Sequence, residues 1–338
     1  MEKADARGGW KVGVLLVNTG SPAAPESEAV RRYLAAFLMD PCVRPLPAPI
    51  WWAILHLFVL PARKHASARK YRLIWEEDGS PLLSRCERLA RRVEDELKRR
   101  HSKMDAPVVR AAMSYGEPSC ASALVELREA GCACLVVVPL YPQSAMSTTK
   151  AALRGVHRSL ARLGWAPDLV EVSEYASRSR YLDAVAESIA DAGFDPSRDF
   201  VLFSFHSVPL ANIEKGDTYV EQVRATCDGV AERLGLAAGA WDLAFQSPFE
   251  DNRTWQGPFT ADVIAHRAQI AQRTFVVCPG FSVDCLETLY DVEHEFRACF
   301  QATAMPGAEL IYVPCLNDGA AQVELLASVV EEQGMARA

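Results

Sequence analysis

Carboxylates recur at four-residue intervals near the end of the chain, at Glu287, Asp291 and Glu295. On a regular helix this spacing places the three side chains on one face. The apolar residues of the same stretch fall on the opposite face, which can pack against a core. Like charges at this spacing repel each other by roughly 0.2–0.5 kcal/mol per pair on an exposed helix. The acidic row is therefore either a solvated face or a site that attracts a cation, and the stretch alone leaves both open.

The residues before this row predict how its helix begins. The apolar run at residues 275–277 is broken at Pro279 and Gly280, and helical spacing resumes a few residues later. Asp284 is a suitable N-cap, and Glu287 follows it by three residues, which is the spacing of a capping box. Capping would give Glu287 a structural role, and that role is compatible with a chemical one.

A histidine stands where another apolar run ends. His206 directly follows residues 200–205. Histidine and carboxylates gathered in one cleft suit a divalent metal such as iron, or a pair of groups that transfer protons. A hydrogen-bonded structural histidine is the alternative interpretation. The chain has no His-x-x-His and no cysteine pair with zinc-site spacing, which disfavours a permanently held metal.

The elements that must position these residues alternate between strands and helices. Apolar runs predict strands at residues 12–17, 108–113, 134–140, 169–172, 200–205, 243–246, 275–278 and 310–313, each followed by a loop and helical periodicity. This alternation indicates βαβ units and parallel sheets. The predicted fold class is α/β, with two similar Rossmann-like domains that each contain a four-stranded parallel sheet flanked by helices.

The predicted domains span residues 10–160 and 161–315, and a C-terminal helix within 316–335 can pack back on the N-terminal domain. Ligands of open parallel sheets bind at the carboxyl ends of the strands, where the connecting loops gather. The active site is therefore expected in the cleft between the two domains.

Composition and missing motifs exclude several functional classes. The chain of 338 residues has a net charge of −7, so it lacks the basic surface that nucleic-acid binding requires. No Gly-x-Gly-x-x-Gly follows the first strand and no P-loop is present, so no nucleotide cofactor is indicated. The polar N-terminus has no signal-peptide pattern, and the ten scattered cysteines suit reduced thiols in the cytoplasm.

Residues 47–61 do not fit the alternation. They are apolar, include Trp51 and Trp52, and are followed at once by Arg63 and Lys64. The segment is too short to span a bilayer, which needs about 20 apolar residues. It can be a buried core helix, an interfacial anchor, or the lip of a cleft that admits an apolar anion. Its prolines and tandem tryptophans disfavour the first, and the other two are compatible with each other.

Several motifs together resemble the ferrochelatase family. The most specific are His206-Ser207-Val208-Pro209, Phe245-Gln246-Ser247 with Trp255 behind it, and the stretch from Cys278-Pro279-Gly280-Phe281 to Asp284-Cys285-Leu286-Glu287-Thr288-Leu289. Asn18-Thr19-Gly20-Ser21-Pro22, Gly79-Ser80-Pro81-Leu82 and Tyr141-Pro142-Gln143 fall in the family's order and spacing. The resemblance covers about residues 12–330, and residues 50–52 most resemble the enzymes of Gram-negative bacteria.

The resemblance implies a protohaem ferro-lyase that inserts Fe²⁺ into protoporphyrin IX to give protohaem in the last step of haem biosynthesis. His206 and Glu287 match the family's catalytic residues, and Asp291 and Glu295 extend a row along which metal or protons can pass. The metal is expected to meet His206, Glu287, Asp291 and Glu295. The positions that match porphyrin-binding residues are Trp51, Arg63, Tyr71, Ser80, Tyr115, Tyr141 and Trp255.

The same resemblance predicts the cofactors and partners. The partners are porphyrin and ferrous iron, iron is a substrate, and no cofactor is permanently bound. Met146 replaces the first cluster cysteine found in some relatives and no cysteine follows Cys315, so no iron–sulfur cluster is expected. Protoporphyrin arrives from the membrane, so the protein is expected in the cytoplasm, with peripheral contact to the inner membrane. The oligomeric state stays open.

Some residues depart from the family pattern. Ser114 stands where an arginine is common, Ser144 where an aromatic residue is usual, and Pro248 and Glu250 where a basic residue and a glycine are usual. They motivate a rival hypothesis, a non-catalytic paralogue that binds tetrapyrroles or handles haem. Coproporphyrin as the substrate is a further alternative.

Overall fold

The computed structural model of the chain describes residues 11–101 and 106–335. Its strands are β1 (Val12–Asn18), β2 (Val108–Met113), β3 (Cys134–Pro139), β4 (Asp168–Glu171), β5 (Phe200–His206), β6 (Trp241–Gln246), β7 (Arg273–Val277) and β8 (Glu309–Val313). Its α-helices are α1 (Ser27–Leu38), α2 (Ala48–Ile54), α3 (Leu60–Ile74), α4 (Pro81–Arg100), α5 (Cys120–Glu129), α6 (Ala151–Leu163), α7 (Ser179–Asp191), α8 (Leu210–Glu214), α9 (Tyr219–Leu234), α10 (Thr260–Arg267), α11 (Leu286–Tyr290), α12 (Arg297–Thr303) and α13 (Ala320–Val330). Four π-helical turns complete the helical segments, at Leu55–Val59, Met146–Lys150, Asp291–Phe296 and Glu331–Met335.

The strands form two four-stranded sheets with the same topology. The strand order is β2-β1-β3-β4 in the first sheet and β6-β5-β7-β8 in the second. Every pairing between these strands is parallel. The predicted fold class, two similar parallel α/β units, is therefore confirmed.

Burial explains why these strands could be found from continuous apolar runs. All seven residues of β1 and all six of β3 are buried, as expected for central strands covered by helices on both faces. Helices α4, α7 and α13 contribute to a core that also includes Val14 of the first sheet and Phe203 of the second. The two sheets therefore share one hydrophobic core.

The strand order fixes where a ligand can bind. In each sheet the first strand lies between the second and the third, so the chain leaves the carboxyl ends of β1 and β3, and of β5 and β7, toward opposite faces. Ligands of doubly wound sheets bind at such switch points. The loop after β1 packs closely here, because a Cβ on Gly20 would lie 1.9 Å from the carbonyl oxygen of Tyr115. Gly20 also has a φ of +106°, which favours glycine.

The predicted domain boundary needs a correction. Strand β4 pairs with β3 in the first sheet, so the first domain continues beyond residue 160 and past Glu171. The last helix, α13, packs against α4 of the first half and α7 of the second. Arg100 of α4 reinforces this packing through ion pairs with Glu324 and Glu331.

Residues 47–61 form a surface helix rather than a buried core helix. The segment consists of α2, the π-helical turn Leu55–Val59 and the start of α3. Pro47 is the N-cap of α2 and Pro49 lies in its first turn, where a missing N–H costs little. Leu55 and Leu60 are buried, whereas Trp52 is 55% exposed and Phe58 is 68% exposed. No helix among the described residues has the length and apolarity needed to cross a membrane.

Candidate active site

A deep cleft opens at the switch points of the two sheets. Its walls come from the loops after β1, β3, β5 and β7, together with side chains of α1 and α3. The empty space between the walls, solvent at the mouth included, is about 1220 Å³. Residues from both halves of the chain line this space.

His206 lies in this cleft at the end of β5. Its Nδ1 is 2.6 Å from the main-chain oxygen of Ser207. A carbonyl oxygen can only accept a hydrogen bond, so Nδ1 carries the proton and Nε2 of the neutral ring keeps its lone pair. The ring of Phe249 meets the imidazole edge-on, with the ring centres 6.0 Å apart. His206 is therefore held in one orientation with a basic nitrogen available.

A buried amide connects His206 to the helix that carries the carboxylates. Gln246 ends β6, directly opposite His206 in the strand register, and its main-chain oxygen accepts a hydrogen bond from the N–H of Ser207. Its side-chain Nε2 donates to the main-chain oxygen of Glu287, at 2.8 Å. Its Oε1 accepts from the hydroxyl of Ser204 on β5. Gln246 therefore fixes Glu287 relative to His206, a role that the sequence motif did not reveal.

The helix of the acidic row does not begin as predicted. Its N-cap is Cys285, and the reciprocal capping residue is Thr288, whose hydroxyl accepts a hydrogen bond from the N–H of Cys285. The predicted capping box of Asp284 and Glu287 is therefore wrong by one residue. Glu287 is half-buried and lines the cleft. Its carboxylate is thus not used for capping.

Asp284 instead anchors the helix start to distant parts of the chain. The carboxylate is 2% exposed and accepts hydrogen bonds from the side chains of Thr288, Tyr312 and Asn317. Arg85 of α4 adds an ion pair at 3.1 Å. A buried carboxylate is stable only with several such partners. Asp284 therefore ties the cleft helix both to its own domain and to the first domain.

The acidic row runs from the cleft to the protein surface. Asp291 is 8% exposed and accepts a hydrogen bond from the Ser247 hydroxyl at 2.7 Å. Glu295 is exposed and pairs with Lys70 of α3 at 2.6 Å. Glu295 is therefore the outer end of the row.

The helix that carries the row is also not regular. Residues Asp291–Phe296 form a π-helical turn between α11 and α12. Such a turn inserts one extra residue into the α-helical hydrogen-bond pattern and occurs frequently at functional sites. The predicted i, i+4, i+8 geometry on an ideal helix therefore needs correction from Asp291 onward.

Burial changes the acidity of Asp291. Loss of hydration, followed by the negative charge of Glu287, raises the pKa of Asp291 from its ordinary value of 3.8 to about 7. The Ser247 hydroxyl opposes this shift by donating to the carboxylate. Asp291 therefore changes its protonation state near neutral pH.

The predicted metal-binding residues do not form one coordination site. Within residues 11–101 and 106–335, no group of three or more His, Cys, Asp or Glu side chains is arranged to hold a metal ion. His206 and Glu287 line the cleft, whereas Asp291 is buried beside Ser247 and Glu295 is at the surface. The four residues are thus distributed between the cleft and the exterior.

Four of the predicted porphyrin-binding residues line the cleft: Tyr71, Ser80, Tyr141 and Trp255. The hydroxyls of Tyr141 and Thr19 lie 2.5 Å apart. Ser80 donates a hydrogen bond to the hydroxyl of Ser21, at 2.7 Å. Burial raises the pKa of Tyr71 well above 10, so its hydroxyl is neutral at physiological pH. This wall of the cleft is aromatic and carries uncharged polar groups.

The other three predicted porphyrin-binding residues lie outside the cleft wall. Tyr115 is buried behind Phe37, with ring centres 5.3 Å apart. Trp51 and Arg63 line a neighbouring pocket at the cleft mouth, which we call the outer pocket. Trp51 donates its indole N–H to the main-chain oxygen of Leu38, at 2.7 Å. Trp51 is therefore a packing residue of the lip as well as a lining residue.

Sequence reasoning missed two side chains that line the cleft, Phe249 and Arg253. Phe249, in the loop after β6, contacts His206 edge-on and lies 5.2 Å from the ring centre of Trp255. The guanidinium of Arg253 is 4.7 Å from the Trp255 ring centre, within the range of a cation–π contact. Phe249 and Arg253 follow Ser247, the last residue of the Phe-Gln-Ser motif, by two and six positions. This closeness to the motif could have indicated that they line the cleft.

Three of the four departures from the family pattern, Ser114, Ser144 and Glu250, have hydrogen-bond or ion-pair partners other than His206 and Glu287. The N–H of Ser114 bonds to the main-chain oxygen of Asn18, and the N–H of Ser144 bonds to the side chain of Gln222. Glu250, two residues after Pro248, pairs with Arg63 at 3.2 Å. These contacts leave the hydrogen bonds that orient His206 and Glu287 in place.

Known proteins match nearly the whole chain. A family model described as ferrochelatase matches residues 11–334. A ferrochelatase of Nitrosococcus oceani is 41% identical over 324 residues, which cover 95% of this chain and 86% of that protein. A ferrochelatase of Thioalkalivibrio sulfidiphilus is 43% identical over 322 residues, covering 94% of this chain and 86% of that protein. The resemblance inferred from the sequence motifs is thus confirmed.

Solved structures share the fold at low sequence identity. SirB from Bacillus subtilis, determined with Fe³⁺, matches with a TM-score of 0.56 and 13% identity, covering 97% of each chain. The sirohydrochlorin chelatase SirB from Bacillus subtilis subspecies spizizenii, in complex with cobalt, gives a TM-score of 0.53 and 13% identity, covering 95% of this chain and 94% of that one. At this identity the likeness concerns the fold alone.

The raised pKa of Asp291 predicts a pH-dependent stability difference. Between its ordinary pKa and about 7 the folded protein keeps a proton that the unfolded chain releases, so this group's contribution to stability falls as the pH rises through that window. Asp291→Asn has no proton to lose. Relative to wild type, the variant should gain about 2–3 kcal/mol in unfolding free energy between pH 5 and pH 8.

Urea denaturation at the two pH values measures this difference. Asp183→Asn is the control, because the ion pair of Asp183 with Arg233 lowers the pKa of that carboxyl, which is ionised at both pH values. The control's stability difference from wild type should be the same at pH 5 and pH 8. An equally constant difference for Asp291→Asn would contradict the predicted titration.

Proposed function

The chain belongs to the ferrochelatase family, whose enzymes insert iron into porphyrin, and we propose that its substrate is protoporphyrin IX and its product protohaem. The observation that carries this proposal is the arrangement of His206 and Glu287 in one cleft with aromatic walls. Gln246 fixes both residues through main-chain hydrogen bonds. The reaction completes haem biosynthesis.

The walls of the cleft suit a flat apolar macrocycle. Aromatic side chains line it from both halves of the chain: Tyr33, Phe37, Tyr71, Tyr141, Phe249 and Trp255. Aromatic faces stack favourably on a conjugated ring, by about 0.5–1.5 kcal/mol per pair beyond the buried area. Hydroxyls of Thr19, Ser21 and Ser80 add uncharged polar contacts along one wall. The porphyrin core would therefore meet both apolar and hydrogen-bonding surfaces.

Insertion of Fe²⁺ replaces two pyrrole N–H bonds with iron–nitrogen bonds and releases two protons. The Nε2 atom of His206 can accept the first proton, while the bond from Nδ1 to Ser207 stabilises the resulting imidazolium. Glu287 is the second acceptor in the cleft. General-base catalysis of this kind contributes typically 10²–10⁴-fold in rate.

The acidic row supplies a route for cations between solvent and the cleft. Glu295 is exposed, Asp291 is buried one helical turn further in, and Glu287 lines the cleft. Carboxylate oxygens attract both Fe²⁺ and released protons, because each is positively charged. Iron acts as a substrate in this scheme, and we propose neither a resident cofactor nor an iron–sulfur cluster.

Substitutions along the row test these roles. Glu287→Gln keeps the shape of the side chain but removes its basic oxygen, so kcat should fall at least about 100-fold while porphyrin binding stays near wild type. Asp291→Asn and Glu295→Gln should slow turnover by up to about tenfold, because they weaken the route without removing the acceptor in the cleft. Anaerobic haem formation gives kcat, and quenching of porphyrin fluorescence gives Kd.

Glu293→Gln is the matched control. Glu293 lies in the same π-helical turn, but it pairs with Arg297 and is not part of the row. Wild-type turnover is expected in this variant. If Glu287→Gln retained wild-type kcat at saturating iron and porphyrin, Glu287 would have no role in the reaction.

We further propose that the protein works in the cytoplasm, and that residues 47–61, which we call the lip helix, touch the surface of the inner membrane. Apolar side chains project from the lip beside the cleft mouth, and Ile50, Trp52, Leu57 and Phe58 are all more than half exposed. A contiguous exposed apolar patch marks an interaction surface. The cations of α3 that follow it suit anionic headgroups. A porphyrin could then pass between membrane and cleft without entering bulk water.

Vesicle binding tests the membrane contact. The double variant Trp52→Ser, Phe58→Ser should co-sediment several-fold less with anionic phospholipid vesicles and show a raised KM for porphyrin. Ile270→Ser is the control, because Ile270 is 57% exposed but lies before β7, at the end of the second sheet away from the cleft. Unchanged co-sedimentation of the double variant would assign the lip to another role.

A further inference from the structure

The outer pocket at the cleft mouth carries opposing charges on apolar walls. It lies between the lip helix, the segment before α2 and the loop after β6, and it adjoins the cleft at Val43, Phe249 and Arg253. Its charged lining residues are Arg44, Arg63, Arg253, Glu250 and Asp251. Three cations therefore face two carboxylates at the place where a large ligand would protrude from the cleft.

The carboxylates already occupy two of these arginines. Arg63 pairs with Glu250 at 3.2 Å, and Nε of Arg253 donates to Asp251 at 2.8 Å. Asp251 also accepts a hydrogen bond from the indole N–H of Trp255, so its position is fixed by the cleft wall. The side chain of Glu250 is 90% exposed. Among the described residues, Arg63 is the only one with which it forms an ion pair or hydrogen bond. The carboxylate of Glu250 can therefore move away from its arginine more readily than that of Asp251.

We propose that Glu250 is a specificity-determining residue that favours porphyrins with few carboxylates. This inference rests on the proposed porphyrin substrate and adds to it a rule for the substrate's charge. A porphyrin carboxylate that reaches Arg63 must displace Glu250 and meets its negative charge. Glu250 acts on the porphyrin through Arg63. It sets how much positive charge the guanidinium of Arg63 offers to a porphyrin carboxylate.

The chemistry of the two substrate candidates makes this effect selective. Protoporphyrin carries propionates on two of its four pyrroles, so its other side can face Glu250. Coproporphyrin carries a propionate on every pyrrole and brings a carboxylate to the outer pocket in any orientation. Like charges placed opposite each other discriminate against the wrong partner. The Arg63–Glu250 pair should therefore weaken binding of coproporphyrin more than that of protoporphyrin.

The size of the effect follows from the exposure of the pair. Ion pairs between solvated side chains are weak, and their removal changes an equilibrium constant by a factor of about two to five. Glu250→Gln should therefore lower the Kd of coproporphyrin III two- to fivefold relative to that of protoporphyrin IX. Salt at 0.5 M should reduce the difference, because it screens charges exposed to solvent.

Fluorescence titrations of the two porphyrins without iron test this inference independently of turnover. Glu250→Asp keeps the charge and should retain the wild-type ratio of the two Kd values. Glu324→Gln is the matched control. Glu324 lies on α13, away from the cleft, and pairs with Arg100 and Arg180. It too should retain the wild-type ratio.

Three outcomes would overturn the inference, and they are distinguishable. If both porphyrins bind wild type and Glu250→Gln leaves the ratio of Kd values unchanged at low salt, Glu250 does not select for charge, and the proposed substrate class survives. If wild type binds neither porphyrin, the proposed function fails and the inference fails with it. A shifted ratio in Glu250→Gln that persists undiminished in 0.5 M salt would also contradict the electrostatic cause.

Discussion

A buried amide, that of Gln246, links the two proposed catalytic residues His206 and Glu287. Gln246 is 1% exposed, and its hydrogen bonds reach Ser204 and Ser207 on one side and the main chain of Glu287 on the other. An amide with both ends bonded is rigid, because losing either partner would leave a buried polar group unsatisfied. The relative position of His206 and Glu287 therefore depends on β5 and β6 remaining in register. Asp284 provides the second anchor, since it binds the start of the helix to Tyr312, Asn317 and Arg85.

The repeated topology explains why the cleft brings together residues from distant parts of the chain. Each half contributes one switch point, so four loops meet without any of them being long. Both halves supply aromatic wall residues; the first half also supplies the lip, and the second half supplies the histidine and the acidic row. The π-helical turn at Asp291–Phe296 lies where the row leaves the cleft. Lys70 of α3 pairs with Glu295 at the outer end, so the two halves also meet at the surface end of the row.

The sequence was sufficient for the strands and the fold class, because buried parallel strands such as β1 and β3 are continuous apolar runs. It failed where tertiary contacts decide local structure. Asp284 has the chemistry of an N-cap, but partners from a distant loop occupy its carboxylate, and Cys285 takes the capping position. Glu295 pairs with Lys70 of α3, and α11, which precedes the π-helical turn, packs against α3, so these features depend on tertiary contacts. The pairing of Glu250 with Arg63 joins residues 187 positions apart, which no local pattern indicates.

The most direct test of the central claim is anaerobic haem formation from Fe²⁺ and protoporphyrin IX by wild type and His206→Ala. We propose that His206, which the Ser207 carbonyl orients in the cleft, is the base, so wild type should produce haem absorbance with repeated turnover. His206→Ala should form haem at least about 100-fold more slowly while its far-ultraviolet circular dichroism is unchanged. Wild-type turnover in the variant would remove His206 from the mechanism. Porphyrin binding by wild type without haem formation would instead identify a non-catalytic tetrapyrrole-binding protein.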